Sequence, residues 1–209
     1  MKESVSNYLL QSKAIKLQPT KPFTWASGWK SPIYCDNRKT LSYPEIRTFV
    51  KNSFVELIRK EFPEVQTIAG VATGAIAQGA LVAEEMGLPF VYVRSKAKDH
   101  GLANLIEGDL REDCKKVVVV EDLISTGGSS LAAVEALRAA GAEVLGLVAI
   151  FSYRFPVSEE NFKRANCRLL TLTDYPELID IAVKMDYVHP DQLEVLKAWR
   201  EHPDTWQGC

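Results

Sequence analysis

The segment "KVVVVEDLISTGGSSLAAVEALRAAGA", Lys116 to Ala142, constrains the fold more than any other part of the chain. Val117 to Val120 are four consecutive β-branched residues, the pattern of a strand buried on both faces in a parallel sheet. The reading ends that strand at Glu121 and Asp122. A polar turn follows, Ser125, Thr126, Gly127, Gly128, Ser129 and Ser130. Leu131, Val134 and Leu137 then mark one face of a helix, and Gly141 stops it. A strand, a glycine-rich turn and a helix N-terminus together form an anion site, because backbone N–H groups and the helix dipole converge there.

The flanking segments repeat this alternation. Strand "QTIAGVA" precedes helix "AIAQGALVAEEMG", and strand "FVYVR" precedes a polar loop from Ser95 to Asp113. After the central unit come strand "EVLGLVAIF", helix "EENFKRA", strand "CRLLTL" and two terminal helices. Asp174 with Glu177 caps one of these and Pro190 opens the other. Upstream, Ser4 to Lys13 reads as an amphipathic helix and Pro44 opens a long one through Phe49, Phe54, Leu57 and Ile58. Residues between them read as irregular with short extended pieces. Alternating strands and helices imply right-handed crossovers and a parallel sheet with helices on both faces, whose ligands bind at the carboxyl ends of the strands.

Composition narrows the function. The chain has 209 residues, 46% hydrophobic and 25% charged, enough for a full core. Its net charge of −2 argues against a general nucleic-acid or membrane-surface protein. The N-terminus lacks the apolar core of a signal peptide, and "VLGLVAIF" is far shorter than the roughly 20 residues that cross a bilayer. A cytoplasmic protein is expected. The four cysteines, Cys35, Cys114, Cys167 and Cys209, form no CxxC pair, which disfavours a zinc site. Cys35 reads as an ordinary thiol in "SPIYCDNR".

Three strand-end segments carry the candidate chemistry. The Ser125–Ser129 turn fits a phosphate, without being a Walker loop or GxGxxG. With two carboxylates nearby, it suits a ribose 5-phosphate whose hydroxyls need acceptors. A capped helix behind solvated acids remains the alternative. In "YVRSKAKDHG", Arg94, Lys96, Lys98 and His100 alternate along a long loop, suiting a second phosphate group or simply a solvated charge run. In "AGVATGAIAQGA", Ala72 to Ala75 permit either close ligand approach or tight packing.

These segments resemble a known family. "VVVVEDLISTGGSS" is similar to the phosphoribosyl diphosphate (PRPP) signature of type I phosphoribosyltransferases, "YVRSKAKDHG" to the mobile loop of orotate phosphoribosyltransferases, and "FTWASGWKSPIYCDNR" to their N-terminal orotate-side segment. The resemblance implies an α/β fold in which a parallel sheet flanked by helices carries a small hood, one domain over 1–209. Residues about 1–43 and the C-terminal helices would form that hood. It implies transfer of phosphoribosyl from PRPP to orotate, giving orotidine 5′-monophosphate and pyrophosphate in pyrimidine synthesis.

The resemblance also implies roles. The signature run, Glu121, Asp122, Leu123 and Ile124 followed by Ser125, Thr126, Gly127, Gly128 and Ser129, would bind PRPP, with the two acids on the ribose hydroxyls. Arg94, Lys98 and His100 would contact pyrophosphate, and Lys98 and His100 would reach a neighbouring subunit's site in a homodimer. Lys98, His100 and Asp122 are the expected catalytic residues. Ser125, Tyr34 and Arg154 would meet orotate, Arg154 at its carboxylate. Mg²⁺ would be held mainly through PRPP rather than by side chains. Departure of pyrophosphate builds positive charge on the sugar, as in glycoside hydrolysis, so the loop cations and a closed, dry site serve the reaction.

One branch of the family has lysines at the places of Ala26, Gly74 or its neighbour, and Ser95. This chain resembles a second branch, and Lys30 or Lys96 is expected to replace part of that charge. A purine or uracil transferase would share the PRPP loop, but a base without a carboxylate needs no Arg154. A PRPP-sensing regulator would need a recognition domain or basic face to bind DNA, and neither is evident. His189 and His202 read as cap or surface residues, and Trp199 and Trp206 as packing.

Overall fold

Val117 to Val120 are each fully buried, at the centre of a six-stranded sheet. The computed structural model describes residues 2–25, 28–94 and 105–207. The chain opens with α1 (Lys2–Gln11), followed by β1 (Ile15–Leu17), β2 (Phe23–Thr24), β3 (Lys30–Ser31) and β4 (Ile33–Cys35). A 3₁₀ segment, Asn37–Ser42, leads into α2 (Pro44–Glu61), with the proline in the first turn. Then come β5 (Thr67–Val71), α3 (Ile76–Met86), β6 (Phe90–Val93) and β7 (Ile106–Glu107). The second half runs β8 (Lys116–Ile124), α4 (Gly128–Ala139), β9 (Glu143–Ser152), α5 (Pro156–Arg164), β10 (Leu169–Asp174), α6 (Tyr175–Lys184) and α7 (Leu193–Glu201).

The sheet order is β10-β9-β8-β5-β6-β7, and every neighbouring pair is parallel except β6 with β7. From β5 the chain moves outward to β6 and then returns to place β8 on the other side of β5. The strand order therefore reverses between β5 and β8, where open α/β sheets form a ligand crevice at the strand carboxyl ends.

The valines of β8 alternate between two cores. Val118 and Val120 join α2, α3 and the N-terminal and C-terminal elements through Phe54, Val82, Tyr175 and Trp199. Val117 and Val119 join α4 and α5 through Val134, Leu137 and Phe162. Glu121 reaches α4 through the Ser130 hydroxyl, and the alternation ends at the carboxyl end of the strand, where Leu123 packs on the first core and Ile124 joins the second.

Several boundaries differ from the sequence reading. The strand does not end at Glu121 and Asp122: β9 pairs with β8 as far as Ile124, opposite Ser152. The segment before Pro44 forms two antiparallel pairs, β1 with β4 and β2 with β3. The loop from Ser95 to Asp113 contains β7, which lies against β6; residues 95–104 lie outside the described part. Helix α5 starts at Pro156 rather than Glu159, and Pro190 opens a 3₁₀ turn before α7. Asp174 caps α6 by accepting a hydrogen bond from the Glu177 amide at 3.2 Å. His189 caps the 3₁₀ turn, and Trp199 is fully buried. Gly141, with φ of +86°, follows α4 as expected of a helix stop. Among the described residues no helix is long and apolar enough to cross a membrane.

The N-terminal and C-terminal segments pack together over one end of the sheet. Trp25 meets Trp199 edge-on with ring centroids 5.6 Å apart, and the Trp199 indole donates to the Lys30 carbonyl at 3.2 Å. Tyr153, at the end of β9, stacks on Phe155 at 5.2 Å and meets both tryptophans. Such aromatic pairs contribute beyond the area they bury.

Candidate active site

A cavity of about 400 Å³ opens at the reversal point between β5 and β8. One wall is Ser125 to Ser130, the turn into α4. Gly127 holds φ at +83°, a left-handed backbone that favours glycine. A Cβ there would also lie 2.6 Å from the Phe162 ring. Its carbonyl accepts the first helical bond, from the Leu131 amide at 2.9 Å. The amides before Leu131 have no carbonyl one turn back, so they are available to an anion.

The opposite wall is the turn after β5, Val71 to Gly74. Gly74 is required there by close approach: a Cβ would sit 2.4 Å from the Asp122 carboxyl carbon. The third wall comes from the segment after β4, with Cys35, Asp36 and Arg38. Asn37, almost fully buried, donates its side-chain amide to the Asp122 carbonyl at 2.6 Å and accepts from the Cys35 thiol at 3.3 Å. It ties that segment to β8.

The two acids are not equivalent. Glu121 is 5% exposed and accepts from the Ser130 hydroxyl at 2.8 Å and from the Asp122 amide at 2.9 Å. Burial, with the Asp122 carboxylate alongside, pushes its pKa up to about 8, and the Ser130 hydrogen bond pulls against that rise. Asp122 is half-buried and faces Gly74 across the cavity floor. Burial also holds the Cys35 thiol well above its ordinary range, with Asp122 and Asp36 adding to the effect, so it remains protonated.

A second cavity, of about 320 Å³, adjoins the first and shares Cys35, Leu123 and Ser125 with it. Thr24, Trp25, Tyr34 and Tyr153 complete its lining. An aromatic wall with a few hydroxyls suits a flat heterocycle carrying polar edges.

Thus Tyr34, Asp122, Leu123, Ser125 and the turn to Ser129 come together, with Glu121 beside them. Ile124 lies beneath the cradle: its side chain is buried in the α4-side core and its carbonyl accepts from the Tyr153 amide. Arg94 pairs with Glu107 at 3.2 Å and Arg154 with Glu159 at 2.9 Å, and neither is among the lining of these two cavities. Lys30 donates to the Thr24 hydroxyl at 2.9 Å on the β2–β3 hairpin rather than facing the cavities. Lys96, Lys98 and His100 lie outside the described residues. Sequence reasoning passed over Asp36, Arg38, Asn37, Trp25 and Tyr153, whose role depends on how the N-terminal segment folds over the sheet. It placed Ser130 in the turn but not its buried hydroxyl on Glu121, directly after the cradle. The i, i+2 acid–arginine spacing in "CDNR" was the available signal for Arg38.

Residues 41–183 match the phosphoribosyl transferase domain. The orotate phosphoribosyltransferase of Porphyromonas gingivalis is 59% identical over 202 residues, covering 97% of this chain and 96% of that protein. The chain belongs to the orotate phosphoribosyltransferases. A second member, from Bacteroides thetaiotaomicron, is 62% identical over 200 residues, 96% of this chain and 94% of that one. Among solved structures, the Aeropyrum pernix orotate phosphoribosyltransferase superimposes with a TM-score of 0.74 at 26% identity, covering 88% of this chain and 99% of that one. Leishmania donovani UMP synthase gives 0.78 at 25% identity, covering 95% of this chain and 42% of that longer one. The family's fold, a mostly parallel sheet flanked by helices, is the one described above.

Proposed function

We infer that this chain transfers the phosphoribosyl group of PRPP to orotate, releasing pyrophosphate and forming orotidine 5′-monophosphate. The observation that carries this reading is the pair of adjoining cavities, one with an anion cradle and carboxylates, the other aromatic, meeting at Cys35, Leu123 and Ser125. A sugar phosphate in the first and a base in the second would place the anomeric carbon at their junction.

In this reading the amides and hydroxyls of Ser125 to Ser129 hold the 5-phosphate. Hydrogen bonds to a charged group contribute on the order of 1.5–3 kcal/mol each, so a few anchor the sugar firmly. Asp122, and Glu121 behind it, accept from the ribose hydroxyls. Tyr34 and Trp25 flank the base, while Ser125 and Arg154 meet its polar edge, Arg154 after leaving Glu159. Arg94, Lys98 and His100 neutralise the departing pyrophosphate, the last two from a neighbouring subunit of a homodimer working in the cytoplasm. Orotate is itself the nucleophile, so the residues bind, orient and exclude water rather than attack.

Mg²⁺ fits this donor set. Asp122 and Glu121 offer only oxygen, the donor type that Mg²⁺ takes. That suits an ion held by one or two carboxylates and by substrate phosphates. When bound it would offset the negative charge of the leaving group.

Orotate's ultraviolet absorbance, followed after mixing the protein with PRPP and Mg²⁺, tests the reading. Loss of signal that needs both additions is the expected result. Turnover of uracil, hypoxanthine or adenine with orotate inert would replace the assigned base, and silence with every base would remove the activity.

A further inference from the structure

The cavity that would take PRPP has a charge imbalance. The carboxylates of Asp36 and Asp122 line it, and among its described lining residues Arg38 is the sole Lys, Arg or His. PRPP carries a phosphate at one end and a diphosphate at the other. The α4 turn can take the single phosphate, which leaves the diphosphate toward the wall built by Val71 to Gly74, Asp36 and Arg38. A diphosphate placed there faces carboxylates unless a cation joins it.

We propose that Arg38 is a diphosphate-binding residue that exchanges its Asp36 partner for the leaving group when PRPP binds. The inference rests on the reading of the cavity as a PRPP site. The Arg38 Nε donates to Asp36 Oδ1 at 2.7 Å, with the Arg38 side chain 61% exposed and that of Asp36 17%. A pair whose cation is this exposed contributes little and is readily exchanged. The Asp122 carboxylate acts on the same guanidinium through space, so Arg38 already lies in the field of the sugar-side acid. The guanidinium fork can then donate two parallel bonds to phosphoryl oxygens, which a lysine cannot reproduce. Gly74 gives this proposal its place: the Asp122 carboxyl leaves no room for a side chain at 74, so that wall supplies no cation itself and Arg38 faces it from the opposite segment.

The test separates the two ends of PRPP. Calorimetric titrations with Mg²⁺-pyrophosphate and with ribose 5-phosphate would be run on the wild type, Arg38→Gln and Arg38→Lys. Lys60→Ala, at an exposed position near the end of α2, serves as the charge control. Arg38→Gln should weaken pyrophosphate about tenfold or more, and leave ribose 5-phosphate within about twofold. Arg38→Lys should recover part of the loss and Lys60→Ala should match the wild type. The KM for PRPP should rise in the same order while that for orotate stays put. Unchanged pyrophosphate affinity in both Arg38 variants, or equal weakening of ribose 5-phosphate, would overturn the proposal. A wild type that binds both phosphates but consumes no orotate would instead refute the assigned reaction, and the Arg38 assignment would still be decided by the binding split.

Discussion

The Ser130 hydroxyl donates to Glu121 at 2.8 Å, from the first turn of α4 into the end of β8, and both residues are buried. This bond gives a buried acid a partner without giving it a counter-charge. Burial without a counter-charge, against which the Ser130 bond pulls, makes stability depend on pH. Glu121 has a folded-state pKa near 8 against an ordinary value of 4.5. Below pH 4.5 both folded and unfolded states hold the proton and pH has no leverage. Between 4.5 and 8 the folded protein retains a proton that the unfolded chain has released. Stability therefore falls as pH rises through that window, by up to roughly 1.4 kcal/mol per pH unit, and levels off above it. Urea unfolding of the wild type and Glu121→Gln at pH 5 to 9 checks this. The variant should lose most of the slope and be the more stable protein at pH 8.5, and parallel slopes would refute the assignment.

The same bond should matter for activity. Ser130→Ala leaves Glu121 with one partner fewer, which raises its pKa further and shifts the rising limb of the kcat/KM profile toward alkaline pH. Kinetics from pH 6 to 10 would show the displacement, and a profile unmoved from the wild type would mean that Glu121 ionisation does not limit the reaction.

Gly74→Ala drives a methyl group into the Asp122 carboxyl. We expect a cost of about 1–3 kcal/mol in stability and a loss of activity exceeding tenfold, since Asp122 must swing out of its position. Thermal unfolding and steady-state rates report the two effects separately. Activity close to the wild type would show that Asp122 tolerates displacement.

Two neighbouring glycines should fail differently. Gly127→Ala meets both a left-handed backbone and the Phe162 ring, so it should destabilise the fold by about 2 kcal/mol or more. Gly128→Ala meets nothing nearer than the Thr126 hydroxyl at 3.9 Å, so it should fold normally. It should nevertheless bind PRPP at least about tenfold more weakly, because the methyl group occupies the cradle. Equal behaviour in the two variants would count against the cradle.

Tyr34→Ala and Arg154→Ala should each raise the KM for orotate by about tenfold with little change for PRPP. Tyr34 lines the base cavity directly, whereas Arg154 must first leave Glu159. Glu159→Gln, by freeing Arg154, should therefore lower the orotate KM modestly. An unchanged KM in Arg154→Ala would remove it from the site.

The central strand, its helix and the βα order were legible because buried parallel strands read as apolar runs, and the Val117–Val120 run is one of the plainest. The strand's true end at Ile124 was not legible, because it is set by the length of the neighbouring β9, a non-local pairing. The cradle could be read from local chemistry, since Gly127 and the hydroxyls around it are contiguous. The second cavity was legible only in part. Tyr34 and Ser125 were expected at the base, but the aromatic wall also needs Tyr153, from the end of β9, and only the fold of the N-terminal hairpins over the sheet brings it to Trp25 and Tyr34.

Glu121 and Asp122 are adjacent in the chain yet are held in place by different elements. Glu121 answers to α4 through Ser130, and Asp122 to the N-terminal segment and the β5 turn through Asn37 and Gly74. The two carboxylates are nevertheless not independent, because the Asp122 carboxylate lies alongside Glu121 and helps to raise its pKa. Any change in α4, the N-terminal segment or the β5 turn that moves one acid therefore retunes the proton affinity of the other.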